Sequence, residues 1–214
     1  MTVYNDPISQ YIVDLYAIED EALKNAREDS ARQGLPMISI KPEEGRFLQL
    51  LVRASETRKA VEVGTLGGYS GIWIARGMAP GGKLVTLEKE AHHAEVARRH
   101  FRTAGVEDRV EVRVGDAHLS LKALAAGGPF DFIFIDAEKT GYDAYFDWAL
   151  EHIRPGGVIT AHNAFRRGSV AGQAEPDGDT PAMQAFNRRV AANPELISTI
   201  YPAGDGMLVA VKPL

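Results

Sequence analysis

Residues 60–77 read AVEVGTLGGYSGIWIARG, and this stretch decides the fold. It opens on a short apolar run that carries an acid, Ala60-Val61-Glu62-Val63. Gly64, Gly67 and Gly68 follow, and then Tyr69-Ser70-Gly71-Ile72-Trp73-Ile74-Ala75, which reads as the start of a helix. Strand, glycine-rich turn and helix in that order make the ligand-approach element of a doubly wound sheet. Glycine permits backbone angles that other residues resist, and it lets a ligand come close to the main chain. The spacing is not that of a dinucleotide site, because G-x-G-x-x-G needs a glycine where Leu66 stands. The pattern is Glu62-x-Gly64-x-x-Gly67-Gly68-x-Ser70. A carboxylate just before the first glycine repels a pyrophosphate and suits a cationic or hydroxyl-bearing ligand.

On either side of this element, the chain alternates short apolar runs with helical patterns. Strands are expected at 59–63, 83–87, 110–114, 130–135 and 157–161, each rich in Val, Ile, Leu or Phe. Helices are expected at 69–77, 91–104, 119–126, 142–153 and 180–192. Such alternation implies an α/β fold with a mostly parallel sheet and helices on both faces. The last two strands, Ile197–Tyr201 and Met207–Val211, flank Pro202-Ala203-Gly204-Asp205-Gly206 and read as an antiparallel hairpin. The expectation is a seven-stranded, doubly wound Rossmann-like sheet with a C-terminal hairpin, in one domain over 1–214: a helical cover over 1–54 and a core over 59–214. In the cover, residues 7–33 carry apolar residues at helical spacing and are expected to form one helix. Glu19, Asp20 and Glu21 lie on its wet side, and Gly34 and Pro36 end it. Pro42 followed by Glu43 and Glu44 reads as the next helix N-terminus.

Composition narrows the function. The chain has 214 residues, 45% of them hydrophobic, which suits a sizeable core. A net charge of -5 argues against a general nucleic-acid binder. The absence of cysteine rules out disulfides and thiolate metal sites. No apolar run is long enough to span a membrane, and the first residues lack the order of a signal peptide, so a cytoplasmic enzyme is expected. Glu88, at the end of the second strand, is placed to accept hydrogen bonds from both hydroxyls of a ribose. His92 and His93 are expected on the surface of a helix.

V-E-V-G-T-L-G-G-Y-S resembles the first motif of class I S-adenosylmethionine-dependent methyltransferases, and more narrowly of the small cation-dependent O-methyltransferases of the catechol and caffeoyl-coenzyme A type. Phe132-Ile133-Phe134-Ile135-Asp136-Ala137-Glu138-Lys139 resembles the same family's F-[IV]-D-A-x-K pattern. The terminal hairpin agrees with that topology. The resemblance covers roughly residues 37–212. It implies S-adenosyl-L-methionine as cofactor, touched by Ile40, Glu62, Gly64, Thr65, Ser70, Glu88, Asp116, Ala117 and Asp136. It implies Lys139 as the base for an acceptor hydroxyl, beside Asp136, and Glu138 and Arg167 as substrate contacts. It also implies a small hydroxylated aromatic acceptor and a homodimer.

The chain departs from the family in Ala161-His162-Asn163, where the pattern has Asp-Asn. The implied divalent metal set becomes Asp136, His162 and Asn163. Oxygen ligands favour magnesium, whereas an imidazole nitrogen favours manganese, cobalt or zinc. A competing role for His162 is a neutral base on the acceptor. Two other functions stay open on this scaffold. One is methylation of a hydroxyuridine in tRNA, for which Arg166 and Arg167 would supply the basic patch. The other is a non-catalytic S-adenosylmethionine-binding protein.

Overall fold

The computed structural model describes residues 4–214, so residues 1–3 of the expected cover lie outside it. Seven strands form one sheet in the order β3-β2-β1-β4-β5-β7-β6. They are β1 (Lys59–Val63), β2 (Lys83–Glu88), β3 (Val110–Val114), β4 (Phe130–Ile135), β5 (Ile153–Ala161), β6 (Ile197–Tyr201) and β7 (Met207–Val211). The first five are parallel, and β7 runs antiparallel to both of its neighbours. This is the expected sheet with its terminal hairpin. β5 begins earlier than its sequence suggests, because Arg154-Pro155-Gly156-Gly157 belongs to the strand across an irregularity opposite Phe130 and Phe132.

Helices α1 (Asp6–Tyr16), α2 (Glu21–Arg32) and α3 (Pro42–Ala54) precede the sheet. Helices α4 (Tyr69–Gly77), α5 (Ala91–Thr103), α6 (Ala117–Leu124), α7 (Tyr142–His152) and α8 (Thr180–Ala191) lie between strands. Side-chain alternation along β4 shows how the layers form. Phe132 and Phe134 pack with Leu23, Leu48, Ile72, Trp73 and Phe101 from α2 to α5. Ile133 and Ile135 pack with Tyr142, Phe146 and Phe186 from α7 and α8. Both faces are dry, as a parallel sheet requires.

The first helical segment differs from its expectation. It is two helices, broken between Ala17 and Asp20, with the Asp20 side chain accepting from the Leu23 N–H to cap α2. A capping carboxylate competes with helix continuation there. Glu19 is not on the wet side. It is almost fully covered, paired with Arg27 and accepting a hydrogen bond from Tyr69 at 2.8 Å. The apolar residues Tyr11, Leu15, Tyr16 and Ile18 remain exposed. Among the described residues, no helix is long and apolar enough to cross a membrane.

The strand order reverses between β1 and β4, and ligands bind at the carboxyl edge of such a switch point. Register fixes what meets there. Val63 is level with Ile135, and Ile135 with Ala161. Gly64, Asp136 and His162, the next residues of three adjacent strands, are therefore brought side by side.

Candidate active site

A cavity of about 760 Å³ opens over that edge. Its wall includes Ile40 from the cover, Gly64, Thr65 and Ser70 from the first turn, and Glu88, Asp116 and Ala117 from the next two strand ends. Asp136, Glu138, Lys139, Asn163 and Arg167 also line it. Gly64 has φ +101, and a Cβ there would collide with the carbonyl oxygen of Asp136. The first glycine is thus required by the close pass of two strand ends as well as by a ligand.

Two expected site residues do not line the cavity. Glu62 is 0% exposed under its floor. Its oxygens accept hydrogen bonds from Ser70 and Thr86, each at 2.6 Å. Burial pushes its carboxyl up to about 7, the two hydroxyls offset part of this, and the charges of Asp136 and Glu88 add to it. Glu62 therefore faces the cavity through Ser70. His162 is 5% exposed and lies behind Asp136.

Glu88 already accepts from the Leu66 N–H at 2.7 Å and from the Glu90 N–H at 3.0 Å. These bonds hold the carboxylate at the cavity rim and tie it to the glycine-rich turn. Asp116 caps α6 by accepting from Leu119. His93, expected on the surface, lies at the cavity wall with Nδ1 3.5 Å from Glu88. Its neighbour His92 is exposed, as expected. Tyr145 and His118 were not singled out by sequence. Their rings stack 4.7 Å apart on the wall, and the Tyr145 hydroxyl donates to Glu138.

Lys139 is mostly covered. Its Nζ donates to the Tyr142 hydroxyl at 2.6 Å and the Ala137 carbonyl at 3.0 Å, and lies 3.4 Å from Asp136 Oδ1. Burial lowers its pKa, while the Asp136 charge opposes that shift. Burial pushes the Asp136 carboxyl up, but His162 and Lys139 outweigh it and hold the group below its ordinary value.

His162 sits between two carboxylates. Its Nε2 is 2.9 Å from Glu44 Oε1, and its Nδ1 is 3.3 Å from Asp136 Oδ2. Burial disfavours the charged ring, but Asp136 and Glu44 raise its pKa to about 10. Nδ1 is ion-paired with Asp136 and makes no conventional hydrogen bond. Asn163 donates its amide to Asp205 at 2.9 Å, which leaves its amide oxygen as the atom available to a ligand. Asp205 also accepts from the Arg167 N–H.

Asp136, His162 and Asn163 stand together at neighbouring strand ends. Nδ1 and the Asp136 oxygen face each other at 3.3 Å, so a positive centre belongs between them. Either a proton or a metal fills that need. Among the described residues, no three His, Asp or Glu side chains cluster for a metal, so the set depends on the Asn163 amide. Arg166 is paired with Asp177 and lies 3.3 Å from Asp179, so the expected basic pair is partly neutralised.

Fold, glycine-rich turn and acid-lined switch point together define a class I S-adenosylmethionine-dependent methyltransferase. The family described as O-methyltransferase matches residues 13–213, and the chain belongs to it. It is 39% identical over 213 residues to a catechol O-methyltransferase of Niastella koreensis, covering 96% of each chain. It is 44% identical over 198 residues to one of Mycobacterium tuberculosis, covering 90% of this chain and 89% of the other. It superposes with a TM-score of 0.88 on the crystal structure of the O-methyltransferase from Bacillus cereus in complex with SAH, at 40% identity, over 96% and 97% of the two chains.

Proposed function

We propose that this O-methyltransferase moves a methyl group to a hydroxyl of a catechol-like or phenylpropanoid acceptor, with a divalent ion held by Asp136, His162 and Asn163. The buried Nδ1 of His162, which makes no hydrogen bond and lies 3.3 Å from the Asp136 carboxylate, supports the metal part of this reading. The catechol O-methyltransferase relatives support the acceptor class.

S-adenosylmethionine would supply an electrophilic methyl group, and a divalent ion held by Asp136, His162 and Asn163 would supply Lewis acidity. The residues of the chain bind, orient and move the proton. Gly64 and Thr65 bring main chain to the cofactor, with Ser70 and Glu62 beneath it. Glu88 accepts from its ribose hydroxyls. Asp116 and Ala117 bound the adenine, and Ile40 closes over the methionine end. Asp136 faces both cofactor and acceptor. Lys139 takes the hydroxyl proton, a role its burial favours because a lysine acts as a base only with a lowered pKa. Much of the rate comes from holding acceptor oxygen and methyl in line. Glu138 and Arg167 contact the acceptor. The described part of the cover, residues 4–54, belongs with the core in a single domain, and the exposed Tyr11, Leu15, Tyr16 and Ile18 suit a second copy of the chain.

A tRNA acceptor is the weaker reading, since the net charge is -5 and Arg166 is held by Asp177 and Asp179. The test is methyl transfer from S-adenosylmethionine to catechol, caffeoyl-coenzyme A and bulk tRNA. Methylated catechol or caffeate ester is expected. Transfer to tRNA alone overturns the acceptor class. Cofactor binding with no transfer to any of the three restores the non-catalytic reading.

A further inference from the structure

We infer that Tyr142 is a positioning residue for Lys139: its hydroxyl fixes the direction in which the lysine nitrogen presents its lone pair. This rests on Lys139 as the base proposed above. The local fold brings the two side chains together. Lys139–Gly141 forms a short 3₁₀ turn, and Tyr142 is the first residue of α7. Residues three apart eclipse in such a turn, which puts the tyrosine hydroxyl within reach of the lysine nitrogen. Tyr142 is 1% exposed, and its ring packs edge-on against Phe186 with centroids 5.3 Å apart. Burial pushes the phenol well above its ordinary range, so it keeps its hydrogen. The carbonyl oxygens of Ile135 and His162 lie 3.3 and 3.2 Å from the hydroxyl. They stand at the ends of β4 and β5, so the sheet itself anchors the group.

A neutral lysine has two N–H groups and one lone pair. Nζ has three polar neighbours: the Tyr142 hydroxyl at 2.6 Å, the Ala137 carbonyl at 3.0 Å and Asp136 Oδ1 at 3.4 Å. The Ala137 carbonyl can only accept. A hydroxyl has a single hydrogen, and the two strand-end carbonyls draw it away, so the Tyr142 oxygen accepts from Nζ. Tyr142 and Ala137 therefore take the two N–H groups. The lone pair is left in the third direction, on the Asp136 side, and both Asp136 and Lys139 line the cavity. There it receives the proton of the substrate hydroxyl as that oxygen takes the methyl. The ammonium so formed gains a third N–H, directed at the Asp136 carboxylate, which stabilises the new charge. The opposite arrangement, with the tyrosine hydrogen turned onto Nζ, would occupy the lone pair and disable the base.

The test is a double-mutant cycle on methyl transfer to catechol, with the same divalent ion present throughout. Tyr142→Phe keeps the ring against Phe186 and removes only the hydroxyl. It should lower kcat about 10- to 100-fold, the scale expected of a misdirected reacting group. KM for catechol and affinity for S-adenosylhomocysteine should stay within about twofold of wild type. In a Lys139→Ala background the same substitution should change kcat by less than about twofold, because the group it positions is gone. A merely structural role would lower kcat equally in both backgrounds, and that result overturns the inference. Wild-type kcat in Tyr142→Phe, with Lys139→Ala slow, overturns it too. Full kcat in Lys139→Ala overturns the base reading and the role of Tyr142 with it. Magnetic resonance of wild type carrying nitrogen-15 lysine decides without any substitution. A Tyr142 hydroxyl proton held at the strand ends, with no coupling to Lys139 Nζ, supports the positioning role, and a coupled one refutes it.

Discussion

The carboxylate of Glu44 lies 2.9 Å from the ring of His162, although 118 positions separate them in the chain. The contact joins the helical cover to the end of β5. A change in the cover can therefore reach the reacting groups without touching the cavity wall. The same edge carries Asp136, Lys139 and Asn163, so the chemistry depends on how firmly three strand ends and one helix start are held together.

Glu88 is expected to contribute to cofactor binding in two ways, through the ribose and through its bond to the Leu66 N–H. Glu88→Ala should weaken S-adenosylhomocysteine by about 1–3 kcal/mol in calorimetry, the range for lost hydrogen bonds to a charged group. Glu88→Gln keeps an acceptor for Leu66 and should lose less. Wild-type affinity in the alanine variant would count against the ribose role.

Lys139→Ala should lower kcat about 10²- to 10⁴-fold with cofactor affinity unchanged, as expected for loss of a general base. Burial lowers the lysine pKa, so wild-type turnover should rise with pH as the amine loses its proton. The variant should lose that rise. A variant with full turnover and the same pH profile would return the proton to another acceptor.

Glu62 gives the fold a pH dependence of defined sign. Its carboxyl is raised from 4.5 to about 7 by burial, so the folded chain keeps this proton longer than the unfolded chain does. The contribution is fully present below about pH 4.5 and is lost as pH rises through about 7, an effect of about 3 kcal/mol. Glu62→Gln can keep bonds to Ser70 and Thr86 without the charge. Denaturant titration of the ligand-free protein should show wild type losing stability relative to the variant between pH 5 and 8. Parallel curves would show that Glu62 is ionised throughout.

Much of this site is legible in sequence because it sits at strand ends. Gly64, Glu88, Asp116, Asp136 and Asn163 each follow a short apolar run, and parallel register gathers such residues at one edge. Local patterns do not carry the rest. Ile18 continues the apolar spacing of α1, which hides the break at Ala17–Asp20, although Asp20 as a cap three residues before Leu23 was a readable signal. His93 and His92 are alike in sequence, and only the orientation of α5 turns one of them toward Glu88. Tyr145, Asp205 and Glu44 reach the site through tertiary contacts with Glu138, Asn163 and His162. Glu44 was legible as a first-turn helix acid, but its partner was not. His162 showed as a departure from the family pattern, and its place behind Asp136 required the fold.

The most direct measurement is methyl transfer to catechol before and after exhaustive chelation, followed by readdition of single metals. Transfer should vanish in EDTA and return better with Mn²⁺ or Co²⁺ than with Mg²⁺, because an imidazole nitrogen replaces one oxygen donor. In His162→Asp, the preference should move back toward Mg²⁺. Undiminished transfer after chelation would rule out a metal-dependent reaction and leave His162, with its proton, as the cation beside Asp136.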